Sequence, residues 1–198
     1  MLTRDQIFDA VSARDNVNVP FVADPLHAAV AIIMAEGDQG PDVCLIRRAE
    51  REGDPWSGHV SFPGGRAAAS DPDPLAVAER ETFEEIGLQL IHQHRIGSLP
   101  ALPKIRKGLT LFPFVYFVDE QTRAQAKVNA VDEVASVFWV PLDHLSDKTA
   151  VTRYEYDVDG QHGIYPGIQF QDHVIWGLTL HLLHAFAGLV RQPFPALD

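Results

Sequence analysis

Residues 73–88 constrain this chain more than any other stretch. Asp73-Pro74 is a strong helix start, an N-cap aspartate with proline at the first helical position. Gly87 follows an acidic pair and can end the helix in a left-handed conformation. Each helical residue turns about 100°, so Glu81, Glu84 and Glu85 fall within an arc of roughly that size. Leu75, Ala78, Thr82, Phe83 and Ile86 lie broadly opposite and are expected to pack on a core. Val77 falls near the acids and does not fit this division. Like charges this close repel and weaken a helix unless something balances them. Mg2+ or Mn2+ would turn that liability into a site, because hard cations prefer carboxylate oxygens and water. Arg80, one turn before Glu84, is in reach to orient it. The bland alternative is a solvated acidic face beside a Gly-Gly turn.

The helix follows Gly64-Gly65-Arg66, and the two segments together closely resemble the Nudix hydrolase signature. That pattern runs Gly, five residues, Glu, seven residues, then Arg-Glu-apolar-any-Glu-Glu-any-Gly-apolar. Its second half matches at Arg80, Glu81, Glu84, Glu85, Gly87 and Leu88, with Thr82 at the apolar place. The first half departs from it. Asp71 stands where Glu is expected, and the loop before Arg80 is one residue longer.

The resemblance implies an α/β fold, specifically a Nudix-type α/β/α sandwich with a mixed β-sheet. It implies hydrolysis of a small-molecule nucleoside diphosphate linked to another moiety. Glu81, Glu84 and Glu85 are then the expected ligands of Mg2+ or Mn2+, joined by the backbone carbonyl of Gly65. Such ions neutralise phosphate charge and lower the pKa of bound water. Arg80 belongs to the catalytic group as the residue that orients its acids. The general base is Glu81 or Glu84, or an acid outside the helix. Glu133, just before the apolar run Val134 to Val140, is the best outside candidate, and a solvated loop acid is its equal alternative. Arg47, Arg48 and Arg51 before the turn, and Lys104, Arg106 and Lys107 after Leu102-Pro103, are the expected phosphate contacts.

A second likeness, to the branch that cleaves coenzyme A and its thioesters, is weaker. It rests on Phe62-Pro63-Gly64-Gly65-Arg66, on Pro113-Phe114-Val115, on Val137 to Leu142 and on Ile175-Trp176-Gly177-Leu178-Thr179. The branch's segment ahead of the glycines is only partly matched: Trp56 stands in place of a His, and His59 in place of a Gln. Trp56 is either a packed aromatic or a face for adenine or a pantetheine arm. ADP-ribose, a dinucleotide or an NTP are the alternative substrates, and a non-catalytic nucleotide-sensing module is the alternative role.

The 198 residues are expected to form one domain, with residues 1–26 as an N-terminal helix and lead-in and residues 171–191 as a C-terminal helix. A net charge of −11 argues against nucleic-acid or membrane partners. No apolar run approaches the ~20 residues of a membrane span. Cys44, the single cysteine, excludes an internal disulfide and reads as a small buried residue. With no signal-peptide pattern at Met1 to Asp5, a cytoplasmic setting is expected. The resemblance implies a homodimer. His173, His181 and His184 have no zinc spacing and read as packing or surface residues. Thr3 with Gln6 makes a capping box for a first helix to Arg14. Ala28 to Met34 and Val43 to Arg47 read as a hairpin, His59 to Phe62 and Leu109 to Val118 as strands, Gln89 to Leu99 as strand-rich, and Asp159-Gly160 as a hairpin turn.

Overall fold

A computed structural model of the chain describes residues 2–13, 20–105, 108–158 and 161–195. Helix α1 (Arg4–Ser12) opens on the expected capping box: the Gln6 amide donates to Thr3 Oγ1, and Gln6 Oε1 accepts from the Thr3 amide. Strands β1 (His27–Gly37) and β2 (Gly40–Arg48) form the expected hairpin. β3 (Val60–Ser61) and β4 (Gly64–Arg66) follow, then helix α2 (Pro74–Ile86). β5 (Arg95–Ser98) and β6 (Thr110–Val118) lead through the single-turn α3 (Glu120–Arg123) to β7 (Val134–Pro141). β8 (Val151–Val158), β9 (Gln161–Phe170), β10 (His173–Trp176) and α4 (Gly177–Leu189) complete the chain.

The main sheet is mixed. β1 runs parallel to β6 along its length from His27 to Ala35, whereas its other pairings are antiparallel. Both faces of this sheet are buried. Ala29, Ala31, Ile33 and Ala35 of β1 join Val77, Ala78 and Ile86 of α2 in one cluster. Ala28, Ile32 and Met34 face the opposite cluster, with Ile7 and Val11 of α1 and Leu180, Leu183 and Phe186 of α4. Side-chain alternation along a strand produces this division. The result is the α/β/α layering that the resemblance implied.

β1 changes partner along one edge. Met34 to Gly37 pair with β2, while Ala28 to Val30 pair with β4. β2 meanwhile takes β3 at Ile46 and Arg47. That split opens a gap at the sheet edge, and the candidate site fills it.

The C-terminal region differs from expectation. The predicted helix over 171–191 begins only at Gly177, because Val174, Ile175 and Trp176 pair with β9 and build a second, three-stranded sheet β10-β9-β8. β-branched and aromatic residues favour that pleated setting, and Gly177 turns the chain with φ 60°. The expected turn at Asp159-Gly160 lies outside the described residues, but β8 and β9 on either side pair antiparallel. Between Gln89 and Leu99, the one strand described is β5.

Candidate active site

Helix α2 begins and ends as its sequence dictates. Asp73 accepts from the Ala76 amide at 2.8 Å, and Gly87 closes the helix with φ 65°. The orientation of the helix is less obvious. Its buried residues include Val77, Ala78, Thr82, Glu85 and Ile86, whereas Phe83 is 53% exposed. The line Val77, Glu81, Glu85 therefore faces inward, which explains Val77 and corrects the expected place of Phe83. Glu81 and Glu85 are aimed into the gap beside β4, not into solvent.

The two glycines fit this approach. The Gly64 amide donates to Glu85 Oε2 at 2.8 Å. A Cβ on Gly64, at φ 146°, would overlap the Ala29 carbonyl, and one on Gly65 would overlap the Glu81 carboxylate. Backbone and acid helix meet closely only because both positions lack a side chain.

Arg80 is the hub of the acid cluster. Its Nη1 donates to Glu81 Oε1 and to Glu84 Oε2, both at 2.9 Å. Its Nε and Nη2 donate to the two oxygens of Asp71, at 3.0 and 2.9 Å, and Nη2 also reaches the Arg66 carbonyl. Asp71 thus has a definite role: buried, and bonded to the Ala68 amide as well, it clamps the guanidinium. Arg80 holds the Asp71 carboxyl below the usual carboxylate range, and the same pairing raises the pKa of Arg80.

Glu133 joins from far along the chain. The amides of Lys127 and Asn129 donate to the carbonyls of Ile86 and Glu85, capping the C-terminus of α2. The Asn129 side chain adds a bond to the Glu84 carbonyl at 3.0 Å. Ala130 then accepts from the amides of Glu133 and Val134, and the Glu133 carbonyl accepts from Ala49. Helix end, connecting loop and β2 together place Glu133 at the site.

A cavity of about 550 Å³ results. Glu81, Glu85 and Glu133 line it with Gly64, Gly65, Arg48 and Arg66. Trp56, His59, Tyr156 and Trp176 form an aromatic side, and Val30, Phe62 and Leu109 add apolar surface. Burial pushes the Glu85 carboxyl up to about 8, against the Gly64 hydrogen bond. Burial also raises Glu81, opposed by the charge of Arg80. A buried acid bonded to a neutral amide, and a glycine cradle that a Cβ would fill, both suit a hard cation. As the side chains stand, no three acidic or imidazole groups among the described residues converge tightly enough to hold an ion. The Glu84 side chain is 56% exposed and turned to Arg80 at the rim.

The expected phosphate contacts divide. Arg48 lines the cavity, held by Asp54 at 2.7 Å, and Trp56 lines it too. Arg47 does not: the β2–β7 register slips between Arg47 and Arg48, and the Arg47 side chain pairs with Glu50 away from the lining. Arg51 and Lys104 are exposed and outside the cavity lining. Arg106 and Lys107 lie outside the described residues. The sequence reading missed Arg66, Tyr156 and Trp176 as lining residues. Arg66 had a signal in following the two glycines directly, and Trp176 stood in a segment that carries the coenzyme A likeness, without a role; Tyr156 had no signal until the second sheet existed. Cys44 is buried as expected, its thiol pushed up to about 12 by burial. His173 packs on Phe138 with ring centroids 4.2 Å apart.

The NUDIX domain model matches residues 25–157. The human mitochondrial coenzyme A diphosphatase NUDT8 is 33% identical over 159 residues, covering 79% of this chain and 66% of that protein. An uncharacterised Nudix hydrolase, NudL, from Pectobacterium atrosepticum is 32% identical over 148 residues, 72% of each chain. In fold, the chain is similar to a MutT/nudix family protein from Enterococcus faecalis, with a TM-score of 0.58 at 14% identity over 96% of this chain and 76% of that one. A glycine turn packed on an inward-facing acid helix is what that family model spans here, and the chain belongs to the Nudix family as a hydrolase of phosphoric anhydrides.

Proposed function

We propose that the chain cleaves the diphosphate of coenzyme A or acyl-coenzyme A, releasing 3′,5′-ADP and 4′-phosphopantetheine or its acyl form, with Mg2+ or Mn2+ as cofactor. The observation that carries this reading is the cavity in which Glu81, Glu85 and Glu133 share one space with Arg48 and an aromatic side. Relatives named coenzyme A diphosphatases support the substrate.

Water attacks one phosphorus, the bridging P–O bond breaks, and the proton from water passes to a carboxylate. The divalent ion, when bound, supplies charge neutralisation and a more acidic water. Glu81, Glu84, Glu85 and the Gly65 carbonyl would hold it. Arg80 keeps Glu81 and Glu84 on one nitrogen, so their oxygens are presented together. Glu133 is our choice of proton acceptor: it lines the cavity from outside the helix, near enough for its charge to act on Glu81 and Glu85. Arg48, oriented by Asp54, supplies a fixed cation for a phosphate oxygen.

A second reading keeps the chemistry and changes the substrate to another nucleoside diphosphate derivative such as ADP-ribose. Trp56 and His59 favour it, because they stand where the coenzyme A branch carries His and Gln.

Turnover of coenzyme A, acetyl-coenzyme A, ADP-ribose, NADH, diadenosine polyphosphates and NTPs with Mg2+ and Mn2+ tests the proposal, with Glu81→Gln as control. Preferential release of 3′,5′-ADP, lost in the control, is the expected result. Preferential turnover of another compound sinks the coenzyme A assignment.

A further inference from the structure

We infer that the aromatic side of the cavity, carried by the second sheet, is the seat of a purine base. The inference rests on reading this cavity as the substrate site. Trp176, the last residue of β10, lies outside the segment matched by the family model. It touches four other rings: Tyr154 at 4.6 Å between centroids, His59 at 4.9 Å, Tyr156 at 5.0 Å and Tyr165 at 5.4 Å. Tyr154 and Tyr156 share a face of β8, as residues two apart on a strand do. An aromatic group that served only as core would bury its rings. Trp176, Tyr156 and His59 are partly exposed, and all three line the cavity that holds Glu81 and Glu85.

The wall is anchored relative to the acids. The Thr179 hydroxyl donates to the Val60 carbonyl at 2.9 Å, tying the start of α4 to β3. β3 leads directly into Gly64-Gly65. The Tyr156 hydroxyl donates to the Pro55 carbonyl, fixing the loop that carries Trp56. Rings braced in this way lose little conformational entropy when a ligand lands on them.

The chemistry of the wall selects the class of ligand. Ring faces stack on a flat base. A pantetheine arm is flexible and carries amides, so it would lose rotamer freedom and would need hydrogen-bonding partners. The Tyr156 hydroxyl gives its proton to Pro55 and offers an amide-rich arm no donor. The adenine end of a nucleotide therefore fits the wall, and the diphosphate then extends toward the acids.

Calorimetric titration of the full chain with AMP, ribose 5-phosphate and 4′-phosphopantetheine in Mg2+ tests this without turnover. The wild-type protein should prefer AMP to ribose 5-phosphate by roughly 5- to 150-fold, the range that base stacking supplies. Trp176→Leu should bring that ratio close to one while leaving ribose 5-phosphate binding unchanged, and Trp176→Phe should keep most of it. If Trp176→Leu does not fold, Tyr156→Leu takes its place in the same comparison. No AMP preference in the wild type, a preference that survives loss of the ring, or weakened 4′-phosphopantetheine with unchanged AMP each overturns the base seat. An AMP preference lost in the variant, in a protein that does not hydrolyse coenzyme A, leaves the base seat standing and removes only that substrate.

Discussion

Glu85→Gln removes a buried charge while keeping the side chain's shape and its acceptor for the Gly64 amide. Glu85 is 2% exposed, and burial pushes its carboxyl from an ordinary 4.5 to about 8. An acid whose folded pKa is raised binds a proton in the folded state that the unfolded chain releases. Its ionisation therefore costs stability as pH rises from about 4.5, and the cost stops growing above about 8. At about 1.4 kcal/mol per pH unit, the gap between those values amounts to about 5 kcal/mol, of which roughly 3 kcal/mol develops between about pH 5.5 and pH 9. For a chain of this size ~1 kcal/mol moves Tm by roughly 2–4 °C. With a chelator present, the Tm advantage of Glu85→Gln over wild type should thus grow by roughly 6–12 °C across that window. Added Mg2+ should raise the Tm of the wild type far more than that of the variant, because a ligand stabilises only the state that binds it. Thermal melts across pH measure both effects. Parallel Tm-against-pH curves for the two proteins would refute the argument that Glu85 is a buried acid in need of a cation.

Three further outcomes follow from the same geometry. Arg48→Ala should raise KM by roughly 10- to 150-fold through loss of one charge-assisted bond, while Arg47→Ala, whose partner Glu50 is 78% exposed, should stay within about twofold; equal effects in steady-state kinetics would contradict the placement of the two side chains. Asp71→Asn should cost about 1.5–3 kcal/mol of stability by loosening Arg80. Because the Asp71 carboxyl is depressed below its ordinary 3.8, its contribution is present above that pH and fades as pH falls through the folded value, so acid melts should show the two proteins converging. Gly65→Ala should lower kcat by about 10²-fold, since its Cβ must displace the Glu81 carboxylate; a rate near wild type would mean that the glycine is not needed for the approach.

Much of the site was legible because it is local. Asp73, Pro74 and Gly87 mark the helix ends by their own backbone chemistry, and the spacing of Glu81, Glu84 and Glu85 needs only helical geometry. What the helix faces is not local. Val77 looked misplaced and Phe83 looked buried, because the expectation set acids against core, whereas the split edge of β1 gives the acids an inward gap to occupy. Asp71 could be counted but not interpreted from spacing, since the loop's path decides whether a shorter acid reaches Arg80. Glu133 was visible as an acid before an apolar run; its arrival at the site depends on hydrogen bonds between segments far apart in sequence. The strand that carries Trp176 was hidden because Val174 to Val190 is mostly apolar, and periodicity cannot divide such a run into strand and helix.

The loop from Lys127 to Ala130 ties two parts of the site to one short segment. Its amides cover the final carbonyls of α2, and the same few residues bring in Glu133. Releasing that loop would expose the helix end to water and withdraw an acid from the cavity in one event. Amide hydrogens of Lys127 and Asn129 should then exchange at the same rate as those of the last turn of α2, as one cooperative unit, so that the site exists complete or not at all.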